Sequence, residues 1–319
     1  MRAISYTPDW TADWNRLTDE AKNGTFLFRR SYMDYHSDRF ADCSLLFTDS
    51  SGRPAALFPA NYDAASRTVW SHQGLTYGGL IMRRDLNYDA VDEIFALITE
   101  HYRLSGATRL IYKKVPYIYN VYPSDEDLYV LTRLNARLTA RAISSAVDLR
   151  APLPLSARRL RGRRKAVREG FTVKGHDADI SEALAEYWAI LTQTLASRHQ
   201  TRPVHSVDEI TRLQSLHPLE IKLWTIHKRD TSMLGGTLLY LTPTTVHAQY
   251  IATNEEGRRC GALDMLFDEL LRKDFGNRWF FDFGISTEQS GTILNNGLLI
   301  QKQEFGGRAV CYDTYALDF

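Results

Sequence analysis

Two segments of this 319-residue chain carry residue types that could hold an anion and act on it. The first is Glu255-Glu-Gly-Arg-Arg-Cys-Gly-Ala262, between a strand-like run, Val246–Thr253, and a helix-like run, Gly261–Phe275. A glycine-bearing loop leading into a helix presents unpaired amides to a negative group. Gly257 and Gly261 let backbone approach a ligand, and Arg258 and Arg259 add charge. A helix end alone contributes about 0.3–1 kcal/mol toward an anion, so the arginines matter as much as the dipole. The second segment is Asp282-Phe-Gly-Ile-Ser-Thr-Glu288, then Gly297-Leu-Leu-Ile-Gln-Lys302, then Phe305-Gly-Gly307. An aromatic strand runs into a glycine-marked turn, a short helix follows, and Lys302 stands just before a second glycine turn.

Other candidates are more dispersed. Ser197-Arg-His199 through Pro203-Val-His205 connects two helical patterns. Arg198 could hold a carboxylate or phosphate, and His199 or His205 could take a proton from an amine, for which a base near pKa ~7 is suited. Tyr250 joins this set. In the first half, His36, Arg39, His72, Tyr77, Lys114 and Tyr117 are polar groups expected to face a cleft between domains and to bind substrate. Seven cations lie between Arg158 and Arg168. Helical spacing would spread them around most of the circumference, leaving Leu160 and Val167 for contact. The run reads as a solvated helix or as a phosphate grip. Nucleic-acid binding alone would want aromatics interleaved with the charges, and the run has none.

The elements that must position these groups recur in the same order twice. Ala55–Tyr62 and Thr68–Leu75 read as a hairpin. A helix follows with Val91, Ile94, Phe95, Ile98 and Tyr102 on one stripe, and then a strand, Arg109–Val115. Leu234–Leu241 and Val246–Thr253 form a second hairpin, followed by a helix with Leu263, Leu266, Phe267, Leu270 and Leu271 on one face and the strand Trp279–Ile285. The offset, roughly 175 residues, suggests a structural duplication. The prolines of Ala151-Pro-Leu-Pro-Leu155 suit a connector. Ser206-Val-Asp-Glu209 is a capping box that starts a helix. Domains are therefore expected at 1–150 and 151–319, with the last strand, Val310–Phe319, free to pair in either.

Composition narrows the classes. Lys and Arg total 39 against 38 acids, so any affinity for phosphate is local rather than global. Cys43, Cys260 and Cys311 are too far apart for a disulfide framework or a zinc signature, and the histidines show no metal spacing. The charged first twenty residues and the lack of any apolar run near ~18 residues predict a cytoplasmic protein without a membrane span.

Arg258-x-x-Gly261 resembles the pyrophosphate loop of the GNAT acyltransferase superfamily. Gly297-Leu-x-x-x-Lys302-x-x-Phe305-Gly-Gly307 resembles the closing signature of its Fem-type aminoacyltransferases, which have two GNAT-like domains in tandem. The resemblance implies an α/β (α+β) fold of two such domains, each a mixed, mostly antiparallel sheet flanked by helices. It implies a first domain on the acceptor side and a second on the donor side. The loop Gly257–Ala262 would then hold the phosphates of acetyl-coenzyme A or another acyl-coenzyme A, with no metal, and Lys302 would contact the reacting acyl group. Acyl transfer to an amine develops an oxyanion, and losing one donor to it typically costs ~3 kcal/mol. The implied function is N-acyl transfer to an amino sugar or envelope precursor of a bacterial cell. Two alternatives stay open: an aminoacyl-tRNA donor, and a non-catalytic module for a phosphorylated ligand, to which Leu263 in the family's small-residue position points.

Overall fold

A computed structural model describes residues 1–176, 180–276 and 278–319. The chain divides into two compact units. The first comprises Met1–Ile143, Thr287–Ile293 and Cys311–Phe319, and the second Ser144–Ser286 and Leu294–Val310.

In the first unit, β1 (Leu45–Thr48) and β2 (Pro54–Phe58) pair antiparallel, flanked by Arg2–Ser5 and Ile81–Met82. The strand expected over Ala55–Tyr62 is broken at Pro59. Asn61–Asp63 instead pairs with β3 (Thr68–Trp70) in a different sheet. Proline supplies no N–H to a ladder, so the chain changes sheets there. β3 then runs parallel to β4 (Arg109–Lys113), in the register Thr68↔Arg109, Val69↔Leu110, Trp70↔Ile111. The crossover helix α1 (Tyr88–Leu104) starts at Asn87, whose side chain accepts from Ala90 N–H at 3.1 Å. It buries the predicted stripe Val91, Ile94, Phe95, Ile98 and Tyr102 in a core with Phe47, Phe58 and Leu110.

Strand β5 (Arg137–Asp148) contributes its start to the first unit and Ser144–Asp148 to the second. In the second unit, α2 (Ala157–Glu169) precedes β6 (Thr172–His176), α3 (Ser181–His199) and α4 (Val207–Leu216), and α4 opens on the expected capping box. An antiparallel meander follows through β7 (Ile221–His227), β8 (Met233–Leu241) and β9 (Thr245–Thr253). Helices α5 (Glu255–Cys260) and α6 (Ala262–Arg272) cross over to β10 (Phe280–Ile285), parallel to β9. β10 also pairs antiparallel with the end of β5. Helix α7 (Asn296–Gln303) follows, and β11 (Arg308–Asp318) closes the chain against β4, within the first unit. The core of the second unit centres on Phe267, Phe281, Phe283 and Phe305.

The basic helix α2 departs from its predicted orientation. It buries Arg159 and Ala166, while Val167 is exposed. The reason is Gly162. A Cβ there would meet Asp264 Oδ2 at 1.7 Å, so the missing side chain lets the start of α6 approach closely. Arg159 is drawn in by carboxylates, Asp264 at 2.7 Å and Glu304 at 2.7 Å, and lies 4.7 Å over the Phe305 ring.

Candidate active site

Strands β9 and β10 pair over three positions only: Thr245↔Phe280, Val246↔Phe281, His247↔Asp282. Beyond these, each strand carries one extra residue against its other neighbour. In β9, Leu238↔Tyr250 is followed by Leu239↔Ala248, which leaves Gln249 bulged. In β10, the register slips between Asp282 and Ile285, where Gly284 has φ +76°. A bulge bends its strand and breaks its ladder, and a glycine in the left-handed region is a usual way to make one. The two strands therefore separate after His247 and Asp282.

A cavity of about 570 Å³ lies among the elements around that separation. Ile251, Ala252 and Thr253 of β9 and Phe283 of β10 line it. Phe267, Leu298 and Phe305 extend its apolar floor. The remaining wall is cationic: Arg158, Arg159 and Lys165 from α2, Arg198 from α3, Arg258 and Arg259 from α5, and Lys302 from α7. The one carboxylate in the lining, Asp264, is held by Arg159 at 2.7 Å. Burial raises the Asp264 pKa, against the opposing pull of that arginine.

The loop expected to carry anions is partly helix. Residues 255–260 form α5, and Asn254 caps it by accepting from Gly257 N–H at 2.8 Å. Gly257 is buried, and a Cβ there would stand 2.4 Å from Thr253 Oγ1. Ala262 is also buried. Neither borders the cavity, whereas Arg258, Arg259 and Gly261 do. Gly261 is left-handed, φ +79°, and begins α6 with no side-chain cap. Its absent Cβ would lie 2.4 Å from Gly162 O, so this glycine is required by helix packing as well as by its turn. Lys165 Nζ donates to Arg259 O at 3.0 Å and ties α2 to the same turn.

Lys302 is only 4% exposed. Its Nζ donates to Gly284 O and to Ile285 O, each at 2.7 Å. Burial lowers its pKa to about 8, against the opposing charge of Asp282. Asp282 is wholly buried and gathers three donors. They are Ser144 Oγ at 2.5 Å, Gly284 N–H at 3.1 Å and His247 Nδ1 at 2.9 Å. Neither His247 nor Ser144 stood out in the sequence, and Asp282 did so only as part of a motif. A lone histidine in an apolar strand carries no spacing signal. The parallel register of β9 and β10 is what brings the pair together.

Of the remaining predicted site residues in the second unit, one borders the cavity. Arg198 reaches the cavity, but the side chain of His199 lies outside the described residues. His205 Nδ1 and Tyr250 Oη are 2.6 Å apart, and the Tyr250 ring packs edge-on against Trp188 at 5.0 Å. Neither His205 nor Tyr250 lines the cavity.

In the first unit, His36 stacks on His72 at 4.9 Å, both buried. His72 has φ +70°, and burial with neighbouring positive groups pushes its pKa down to about 3. Tyr77 packs against Tyr119 at 4.5 Å. Lys114 is buried, paired with Asp127 at 3.0 Å and donating to Ser124 O. Its charge is spent inside the fold. Arg39 and Tyr117 are exposed. Burial and local pairing thus involve His36, His72, Tyr77 and Lys114 of the expected acceptor cluster.

Residues 156–289 match the model of the acetyltransferase (GNAT) domain family. No curated protein matches the sequence. Among solved structures, FemX superposes with a TM-score of 0.71 at 12% identity, over 100% of this chain and 98% of that one. L-PGS from Bacillus licheniformis gives 0.64 at 14% identity, over 98% and 92%. A tandem GNAT protein from the clavulanic acid biosynthesis pathway gives 0.53 at 11% identity, over 99% and 98%. At such identities the likeness is one of fold: two GNAT-like units in tandem, each a mixed sheet with helices.

Proposed function

We propose, for a chain that belongs to the GNAT acyltransferases and has a Fem-like tandem fold, that it moves an acyl group from an acyl-coenzyme A to an amine. An amino sugar or a cell-envelope precursor is the acceptor class. The observation that carries this reading is the cavity where β9 and β10 part, with its apolar floor, its cationic wall and Lys302. A nucleotide thioester has the matching halves, a polyphosphate and an uncharged acyl arm. Arg258, Arg259 and Arg158 would hold the phosphates, which accept charge-assisted bonds. Phe283, Leu298 and Phe305 would bury the arm and keep water from the thioester. Holding donor and acceptor together would by itself supply much of the rate.

Lys302 has three N–H donors and uses two on Gly284 O and Ile285 O. The third can meet an oxygen in the cavity. A cation already fixed by two backbone bonds needs no reorganisation as negative charge grows on the acyl oxygen. Arg198 would hold a charged group of the acceptor or donor.

Isothermal titration with coenzyme A and acetyl-coenzyme A tests the donor. Binding of both in the micromolar range is expected, and absence of binding at millimolar concentration removes the thioester reading. A second reading, with aminoacyl-tRNA as donor, is favoured by Arg161, Arg163, Arg164 and Arg168, which line an open groove of about 540 Å³ outside the donor cavity. It requires RNA binding that weakens steeply between two salt concentrations in a filter assay.

A further inference from the structure

We infer that Arg159 is a positioning residue for acyl transfer: it fixes the helix that carries Lys302 against the turn that carries Arg258 and Arg259. The inference rests on the acyl-transfer reading. Arg159 borders the cavity, but its charge is already matched inside the fold. Nη1 donates to Asp264 Oδ1 at 2.7 Å, and Nη2 forms an ion pair with Glu304 Oε2 at 2.7 Å. The guanidinium lies 4.7 Å over the Phe305 ring. A buried cation facing two carboxylates is poorly placed to take a phosphate, so its place in the wall has another use.

The two carboxylates belong to different ends of the cavity. Asp264 lies in the first turn of α6, just after the turn with Arg258, Arg259 and Gly261. Glu304 closes α7, and the backbone there wraps around Lys302: the N–H groups of Phe305 and Gly307 donate to Lys302 O at 3.1 and 3.2 Å. Ser156 N–H donates to Glu304 O at 2.8 Å, and Ser156 Oγ caps α2 by accepting from Arg159 N–H at 3.3 Å. The start of α2 is thereby tied to the end of α7 through backbone and side chain alike. Toward the other end, Lys165 Nζ reaches Arg259 O at 3.0 Å, and Gly162 lets α6 come close. Helix α2 is a brace between the two ends, and Arg159 grips both.

Acyl transfer makes that spacing matter. The phosphates and the thioester of one donor molecule are joined by a set length of chain, so a donor held at Arg258 and Arg259 presents its carbonyl within a limited depth of the cavity. Lys302 stabilises the growing oxyanion only if its Nζ stands within hydrogen-bond distance of that carbonyl. A misplacement of about 1 Å, caused far from the reacting atoms, can cost about 10²-fold in rate. A planar guanidinium holds two acceptors in fixed directions and stacks on a ring. Arg159→Lys would keep the charge and lose both the fork and the stack.

The test is a double-mutant cycle read by steady-state kinetics with acetyl-coenzyme A and a panel of amino sugars including glucosamine. It compares the wild type, Arg159→Lys, Lys302→Ala and the double variant, with coenzyme A binding followed in the calorimeter. Arg159→Lys is expected to lower kcat about 10–10²-fold while its affinity for coenzyme A stays near that of the wild type. In the Lys302→Ala background the same substitution is expected to lose most of its effect, because the group it places is gone. A merely structural arginine would lower kcat equally in both backgrounds. If Arg159→Lys does not fold, Glu304→Gln, which keeps the side chain's shape and removes one of the two charges, is read in the same cycle. A folded Arg159→Lys with wild-type kcat, equal losses in both backgrounds, or a loss confined to coenzyme A affinity would overturn the assignment, the last by making Arg159 a phosphate ligand. Lys302→Ala with undiminished kcat would overturn it too. A wild type that binds acetyl-coenzyme A yet acylates no amine ends the acyl-transfer reading itself, and the positioning role with it.

Discussion

The two units contain the same crossover, and its two copies end differently. In each, two parallel strands pair over three positions, Thr68–Trp70 with Arg109–Ile111 and Thr245–His247 with Phe280–Asp282. In each, a lysine whose ammonium is buried, with its pKa lowered to about 8 by that burial, donates to the backbone at the end of that pairing. In the first unit the chain after β3 folds back over the pair. Ser71 N–H donates to Ile111 O at 2.8 Å, Lys113 N–H to Ser71 Oγ at 2.7 Å, and Gly78 N–H to Lys113 O at 2.9 Å. Lys113 Nζ spends all three donors on the carbonyls of His72, Gln73 and Leu75. In the second unit both strands bulge, and among the described residues Lys302 Nζ gives donors to two carbonyls, one fewer than Lys113. In the proposed reading, an ammonium held by three carbonyls locks a loop, and one held by two serves a ligand.

The sharpest way to break this contrast is to remove each lysine in turn. Lys302→Ala is expected to lower kcat about 10²–10³-fold. Lys113→Ala should leave kcat of the folded enzyme unchanged. It should lower unfolding stability on the order of 1–3 kcal/mol for each carbonyl left buried without a donor, read from denaturant midpoints. Equal kinetic losses in both variants would mean that the lysines are not functionally distinct.

Gly261→Ala sharpens the contrast from the side of the open cavity. A left-handed backbone and a Cβ 2.4 Å from Gly162 O both oppose the substitution. A destabilisation of about 2–4 kcal/mol is expected, with weaker coenzyme A binding in the calorimeter. Unchanged stability would show that α2 and α6 need not pack so closely.

The smallest effect expected is one of pH. An ammonium with a pKa near 8 is charged at neutrality and loses its proton above that value. Acyl transfer that relies on Lys302 should therefore decline as pH rises through about 8, and Lys302→Arg should lose that decline while losing rate. A profile of kcat from pH 6 to 10 checks it.

Much of the framework was legible before any coordinates. The stripe of α1, the capping box of α4 and the second hairpin are local patterns with a fixed period, and each formed nearly where expected. The break at Pro59 was legible in principle, because the missing N–H is a local fact. The cationic wall is half legible: residue type and local motif mark Arg258, Arg259, Arg198 and Lys302, whereas helical periodicity alone turns the α2 run the wrong way. Gly162 is the residue whose meaning was hidden, because a glycine inside a charged helix says nothing about what lies opposite it.

What the sequence determined by itself was the order and type of the elements and the chemical groups on offer, since periodicity, caps and turn residues act within a few positions of one another. Tertiary structure alone decided which groups meet. Ser144 lies 138 residues from Asp282, and His247 lies 35. Their union depends on strand register and on two one-residue bulges, and a shift of one residue in either strand would turn every side chain beyond it to the opposite face.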